Sequence, residues 1–202
     1  STIITQVKVD PFDRAFSNPT KVIGRYMTED EAKAEEAKGN YVVKEDKGYR
    51  RIIAAPKPQD IYEIDAVRTL LDAGQIVIAA GGGGIPVLEQ RTVLKGASAI
   101  IEKDYVAARL AELIDADTLL FLTAADKLVI NEGTDKEQSF DTIKASELKE
   151  YVNEDNMGAI TTLPKVSAAV EFVLAGNERK AVIANLESAK DALAGKCGTT
   201  IL

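Results

Sequence analysis

The 202-residue sequence contains no histidine, and that absence excludes more chemistry than any other feature of its composition. Ser-His-Asp triads, Cys-His pairs, zinc-protease helices and most transition-metal sites all need an imidazole. Cysteine is nearly missing too: the single Cys197 rules out an intrachain disulfide framework, offers no metal cluster and fits a reducing compartment. No apolar run approaches the roughly 18 residues of a bilayer span, and the first residues do not read as a charged-then-apolar leader. The expectation is a cytoplasmic chain with no membrane partner. No Lys/Arg-rich block offsets the formal net charge of −7, which argues against a nucleic-acid partner. What remains for catalysis is Lys, Arg, Asp, Glu and backbone. That kit suits phosphoryl transfer, whose catalysis is mainly positioning and charge neutralisation with little proton shuttling.

What is present is a globular composition, 46% hydrophobic and 28% charged, enough for one full domain with a smaller appendage. The most informative stretch is Val77-Ile-Ala-Ala-Gly-Gly-Gly-Gly-Ile-Pro-Val87. An apolar, β-forming run opens into Gly81, Gly82, Gly83 and Gly84, where no Cβ keeps a ligand from the backbone and successive N–H groups can cradle anionic oxygens. The plain alternative is a tight strand exit with no ligand. Lys103-Asp104, at the start of a predicted helix, and Lys165, in Leu163-Pro164-Lys165, supply charged company.

Residues 2–9 read as a strand broken by Asp10-Pro11. Residues 10–58 are polar and turn-rich. There Thr28-Glu29-Asp30-Glu31 forms a capping box for a polar helix that Gly39 stops, and strands 41–44 and 49–53 pair through Asp46-Lys47-Gly48. The helix and hairpin predict a small protruding α+β subdomain ending at the rigid Pro56-Lys57-Pro58. Ile61, Ile64, Val67 and Leu70/Leu71 then mark a helix ending at Gly74, followed by a strand over 76–80. Residues 99–101 lead into a helix over about 104–114 and a buried strand over 118–123. A turn at Asn131-Glu132-Gly133-Thr134, helices from Ser146 and over about 162–174, strand 181–184, helix 187–194 and strand 199–201 complete the pattern. This alternation predicts an α/β three-layer sandwich with a largely parallel sheet, helices on both faces and ligands at the C-terminal strand ends. The expected division is a first strand of the main domain at 1–9, a lid-like subdomain at 10–58 and a nucleotide-binding α/β domain at 59–202.

Seven segments in order, among them Thr5-Gln6-Val7, Asn18-Pro19-Thr20-Lys21, Gly48-Tyr49-Arg50-Arg51, Ile78 to Val87, Lys103-Asp104 and Leu163-Pro164-Lys165, make the chain resemble the C-terminal two-thirds of a carbamate kinase, of the amino-acid kinase superfamily. The resemblance implies ATP-linked phosphoryl transfer between ATP or ADP and carbamate or carbamoyl phosphate, with Mg2+, and a homodimer in arginine metabolism. It makes Lys103 and Lys165 the lysines that neutralise the migrating phosphoryl group, with Asp104 orienting both. A lysine is a compact cation with three donors that a neighbouring carboxylate keeps charged and aimed. The plain alternative for Lys103-Asp104 is an exposed helix N-terminus with Asp as cap. The resemblance also makes Lys21 the lysine that a mobile lid lowers over carbamoyl phosphate, against the alternative of a solvated turn lysine. Gly81 to Gly84 would face substrate, and Thr123, Asp126 and Asn131 would border the nucleotide groove, unless those three serve only strand-end and turn chemistry.

The chain departs from the family at Ile160-Thr161-Thr162, where Gly-Ser-Met is common, so an adenine contact is lost or remade at Thr162. No Gly-Gly-Asn strand end is present either, and the expectation is that an N-terminal portion carrying half of the active site is absent. An unpaired edge or apolar patch would then be covered by another copy or by that segment, and the chain alone would bind nucleotide weakly and turn over little. No carboxylate set declares itself a magnesium site. The rival reading is a non-catalytic nucleotide-binding or interaction module with the same fold. A dinucleotide-binding oxidoreductase lacks its third glycine, and a P-loop hydrolase its Gly-Lys-Ser/Thr.

Overall fold

The computed structural model describes residues 1–153 and 162–202. Within them the contacts form two compact units, Ser1–Glu63 with Ile76–Lys103, and Ile64–Gln75 with Asp104–Leu202. This grouping differs from the expected division into 1–9, 10–58 and 59–202, because the chain after the glycines pairs back onto the first strand.

In the first unit, β1 (Gln6–Val9) buries every second residue, Val7 and Val9. It lies between β5 (Pro58–Ile61), antiparallel, and β6 (Ile85–Gln90), parallel, with β7 (Val93–Gly96) beyond β6. Strand β6 is not expected from Pro86. The residue before a proline is pushed out of the helical region into extended backbone, so Ile85-Pro86 continues as a strand. Ile61, expected on a helix, is instead the fully buried end of β5. Residues 76–80, expected as a strand, make one parallel bridge, Thr2 with Ile78, and leave Ile76 and Ile78 exposed.

The remainder of this unit is a three-stranded sheet ordered β2 (Lys21–Met27), β4 (Gly48–Ile53), β3 (Tyr41–Glu45), joined by the short helix α1 (Arg14–Ser17) and by α2 (Glu29–Ala37). The hairpin and the helix match the expected elements; β2 was not expected. Its pairing with β4 shifts register between Ile23 and Met27, around Gly24 at φ +72°, and this interruption erases the alternation that marks a strand.

The second unit contains α3 (Ile64–Asp72), α4 (Lys103–Leu113, apart from Lys103 itself), the small pair β9 (Val129–Ile130) and β10 (Gln138–Ser139), α5 (Ala145–Leu148), and a sheet ordered β11 (Thr142–Ile143), β13 (Thr199–Ile201), β12 (Lys180–Asn185), β8 (Thr118–Thr123). Alternation along β12 builds the layers. Ala181 and Ile183 join the core with Val166, Ala169 and Phe172 of α6 (Thr162–Leu174), while Val182 and Ala184 pack on Ala192 of α7 (Ala189–Leu193). Helices therefore cover both faces, the expected three-layer α/β arrangement. Among the described residues the pairing in the two four-stranded sheets is mixed, three parallel and three antiparallel. No helix among them is long and apolar enough to cross a membrane.

The cap of α2 is a reciprocal box: the Glu31 N–H donates to Thr28 Oγ1 at 3.3 Å and the Thr28 N–H donates to Glu31 Oε2 at 2.9 Å. The Arg25 guanidinium donates to Glu31 Oε1 at 2.6 Å. Arg25 first, and the Thr28 N–H next, hold the Glu31 carboxyl down at about 2. A lowered folded-state value means that this contribution is complete above the ordinary carboxylate range and is lost as pH falls through about 2. A 13C titration of the Glu31 carboxyl should show that midpoint, and Arg25→Ala should move it up towards the value of a free glutamate. A wild-type midpoint in the ordinary range would show that the pair does not form in solution.

Candidate functional site

The expected site residues fall in both units. In the first, Ala80 sits in the left-handed region at φ +53° and turns the chain into Gly81–Gly83, a single 3-10 turn. Thr5 organises this turn: its buried hydroxyl accepts the Ala80 N–H at 2.8 Å, and its carbonyl accepts the Ile85 N–H at 2.8 Å. The Gly83 and Gly84 N–H groups are spent inside the turn, on Ala80 O and Gly81 O. Those of exposed Gly81 and Gly82 have no hydrogen-bond partner among the described residues. The expected amide cradle is thus limited to two groups, since the turn consumes the others.

Two glycines are required by close approach. A Cβ on Gly83, at φ +107°, would lie 2.5 Å from the Ile101 carbonyl oxygen, and one on Gly84 would lie 2.6 Å from Val7 Cγ2. The contact at Gly83 seats the turn on the backbone of Ile101-Glu102-Lys103. Glu102 in turn forms an ion pair with Lys21, the first residue of β2. The structure therefore brings together Lys21, Gly81 to Gly84 and the segment that ends at Lys103. Glu102, which ties Lys21 to that segment, was not expected; in the sequence it reads only as an acidic residue before the Lys-Asp pair.

In the second unit, Asp104 is buried in the first turn of α4, and its Oδ1 accepts a hydrogen bond from Lys165 Nζ at 2.6 Å. Lys165 is in the first turn of α6, where Pro164 is tolerated because its missing N–H has no helical partner to lose. The ammonium also lies 4.9 Å from the centroid of the Phe121 ring, a distance at which the π face attracts a cation. Side-chain exposure is only 15% for Lys165 and 7% for Asp104. Asp104 is therefore an ion-pair partner within the fold and not merely an exposed cap.

Thr123 follows Phe121 by two positions on β8 and so projects from the same face. Asn185, its register partner on β12, shares that face at the C-terminal strand ends. The Asn185 Nδ2 donates to Asp126 Oδ1 at 2.9 Å and to Ala124 O at 3.2 Å, and its Oδ1 accepts the Glu187 N–H at 3.0 Å. Thr123 and Asp126 thus stand at the end of one strand pair, with Lys165 over Phe121 two residues earlier, and Asn185, missed in the sequence, ties Asp126 there. Its position closing an apolar strand was the available signal. Asn131 is not tied in: at φ +53° its amide donates to Lys136 O at 3.3 Å and its carbonyl accepts the Thr134 N–H, which is turn chemistry. Thr162 opens α6, half-buried, whereas Ile160 and Thr161 lie outside the described residues. Among the described residues no group of three or more acidic, Cys or His side chains is placed to hold a metal ion.

Removing one member of a buried ion pair leaves an uncompensated charge, at a cost of about 3–5 kcal/mol. Lys165→Met and Asp104→Asn should each lower the urea stability by about that much, and the double variant should recover most of it; additive losses would show that the pair is not coupled. Gly83→Ala should cost about 1–3 kcal/mol through backbone strain before any clash, whereas Gly81→Ala, which meets open space, should be nearly neutral by the same assay.

Residues 25–185 match the amino acid kinase family. The chain is 48% identical to the carbamate kinase-like protein YqeA of Escherichia coli and 47% identical to the carbamate kinase of Clostridium perfringens, in both cases over all of this chain and 65% of the relative. It therefore spans a little under two thirds of those relatives. The solved structure of Giardia lamblia carbamate kinase bound to AMP-PNP superposes with a TM-score of 0.91 at 38% identity, covering all of this chain and 64% of that one. The chain belongs to the amino acid kinase family, and its similarity lies with the carbamate kinases.

Proposed function

We propose that the protein containing this chain is a phosphotransferase of the carbamate kinase type, moving a phosphoryl group reversibly between ATP and carbamate. The observation that carries this reading is the buried Lys165–Asp104 pair on the face of β8 whose C-terminal end holds Thr123 and the Asn185–Asp126 tie. The Giardia relative binds a nucleotide analogue, and a strand edge of this kind suits a nucleotide.

In the forward reading, a β-phosphate oxygen of ADP forms a new P–O bond to the phosphoryl group of carbamoyl phosphate while the bond from phosphorus to the carbamate oxygen breaks. Carbamate leaves as an anion and, after taking a proton from water in solution, decomposes to ammonia and carbon dioxide with hydroxide left behind. No proton need be carried by a side chain, in keeping with a sequence without histidine. Lys165, aimed by Asp104, and Lys103 follow the negative charge as it spreads over the equatorial oxygens. Lys21 and the Gly81 and Gly82 amides receive the carbamoyl phosphate oxygens, and Thr123, Asp126 and Thr162 border the nucleotide. Magnesium, where bound, would neutralise phosphate charge and would be held chiefly by the nucleotide phosphates and water, since among the described residues no group of three or more acidic, Cys or His side chains is placed to hold a metal ion. Homodimerisation, a cytoplasmic location and a place in arginine metabolism belong to the same proposal.

A coupled assay of ATP formation from carbamoyl phosphate and ADP tests this on the full-length protein. Turnover is expected, and the 202-residue chain by itself should give little or none. Lys165→Ala, checked for retained fold by circular dichroism, should weaken ADP binding about tenfold in calorimetry, the scale of one charge-assisted hydrogen bond. Full-length protein that binds ADP but forms no ATP would instead establish a non-catalytic nucleotide-binding module.

A further inference from the structure

We infer that Glu102 is a latch on Lys21: its carboxylate holds the ammonium in the place of a substrate oxygen, so that anion binding at the glycine turn exchanges one oxyanion for another. The inference rests on the proposed function only in naming carbamoyl phosphate as the natural anion.

The two ends of this ion pair hang on one backbone ladder. Lys21 pairs with Ile53 at the end of β4, the next residue, Ala54, bridges to Ala99, and the Ala54 carbonyl accepts the Ile100 N–H at 3.0 Å. Ile101 is buried, and its carbonyl and the Lys103 N–H are packed under Gly83. Backbone on both sides of the contact is therefore fixed, and only side-chain torsions are free to make or break it. The exposures, 36% for Lys21 and 18% for Glu102, leave solvent at the ammonium end, where an anion can approach. A carboxylate is an acceptor-only group like a phosphoryl oxygen. The Lys21 ammonium is the donor it meets, and on the turn that Gly83 seats against the neighbouring backbone the Gly81 and Gly82 amides are left unspent. A phosphoryl dianion brings more charge to these donors than the single carboxylate it displaces, whereas a monoanion exchanges at best like for like. The latch thus selects for phosphorylated substrates and keeps Lys21 neutralised when none is bound.

The test compares wild-type full-length protein with Glu102→Gln, and with Glu102→Asp as the variant that keeps the charge but shortens its reach. Lys21 acylation by a trace amine-selective reagent, followed by peptide mass spectrometry, should rise about two- to fivefold in both variants, the range of a half-exposed ion pair, with Lys190 as the unaffected reference. The Kd for inorganic phosphate should fall by a similar factor in Glu102→Gln, and this gain should vanish in a Lys21→Gln background. Unchanged Lys21 reactivity, or weaker phosphate binding in Glu102→Gln, would overturn the latch. If these results hold while wild-type protein makes no ATP from carbamoyl phosphate, the phosphotransferase reading fails and the latch stands.

Discussion

The second unit depends on a charge that is hard to bury. A lysine in the first turn of a helix opposes the positive end of the helix dipole, and desolvating it raises the cost further. Lys165 bears both penalties because Asp104 is 2.6 Å away and Phe121 turns its ring to the same ammonium. Asp104 is well placed in its own right, since an acidic side chain in the first turn of α4 complements that helix's dipole. The result requires the first turns of α4 and α6 to meet beside β8, and so sets where these helices begin. It also leaves a net attraction for anions, because helix end and ammonium have the same sign and one carboxylate serves both.

The elements legible in the sequence are those specified by near neighbours. Thr28 and Glu31 cap α2 through contacts three residues apart, the 41–53 hairpin closes on Asp46-Lys47-Gly48, and the apolar run of β12 pairs with that of β8. The elements that escaped were decided by distant pairing. Residues 76–80 have a strand's composition yet bridge only once, while Pro86, a usual strand breaker, sits inside β6 because β1 receives it in parallel. Strand β2 is hidden by Gly24 and by polar residues on an exposed face.

The candidate site divides in the same way. Lys165 and Asp104 are 61 positions apart, and nothing local in either segment names the other; only the family resemblance joined them in the sequence. Thr123 was reachable as the end of a buried strand. Asn185 was equally reachable, since it ends the paired strand in the same register, but an asparagine after Ala-Val-Ile-Ala also reads as an ordinary turn residue. Glu102 had no signal of its own, because its role is set by Lys21, a residue brought to it by the pairing of Ala54 with Ala99.

Two ammonium–carboxylate pairs thus occur, among the described residues, at the positions proposed for phosphoryl transfer, and their burial separates the roles proposed for them. The Lys165–Asp104 contact is nearly closed to water, so separating it exposes each charge to a poorly solvating interior and has no cheap alternative. It is a fixed electrostatic element, suited to a charge present before the nucleotide arrives. The Lys21–Glu102 contact is open to solvent on the lysine side, where water and ions compete and the net worth of an ion pair is small. It can be opened and remade within a binding cycle. A reaction that shifts negative charge between two substrates benefits from both kinds: a permanent cation that needs no reorganisation as the charge moves, and a second whose neutralisation is lifted only when a phosphoryl oxygen takes over the carboxylate's place.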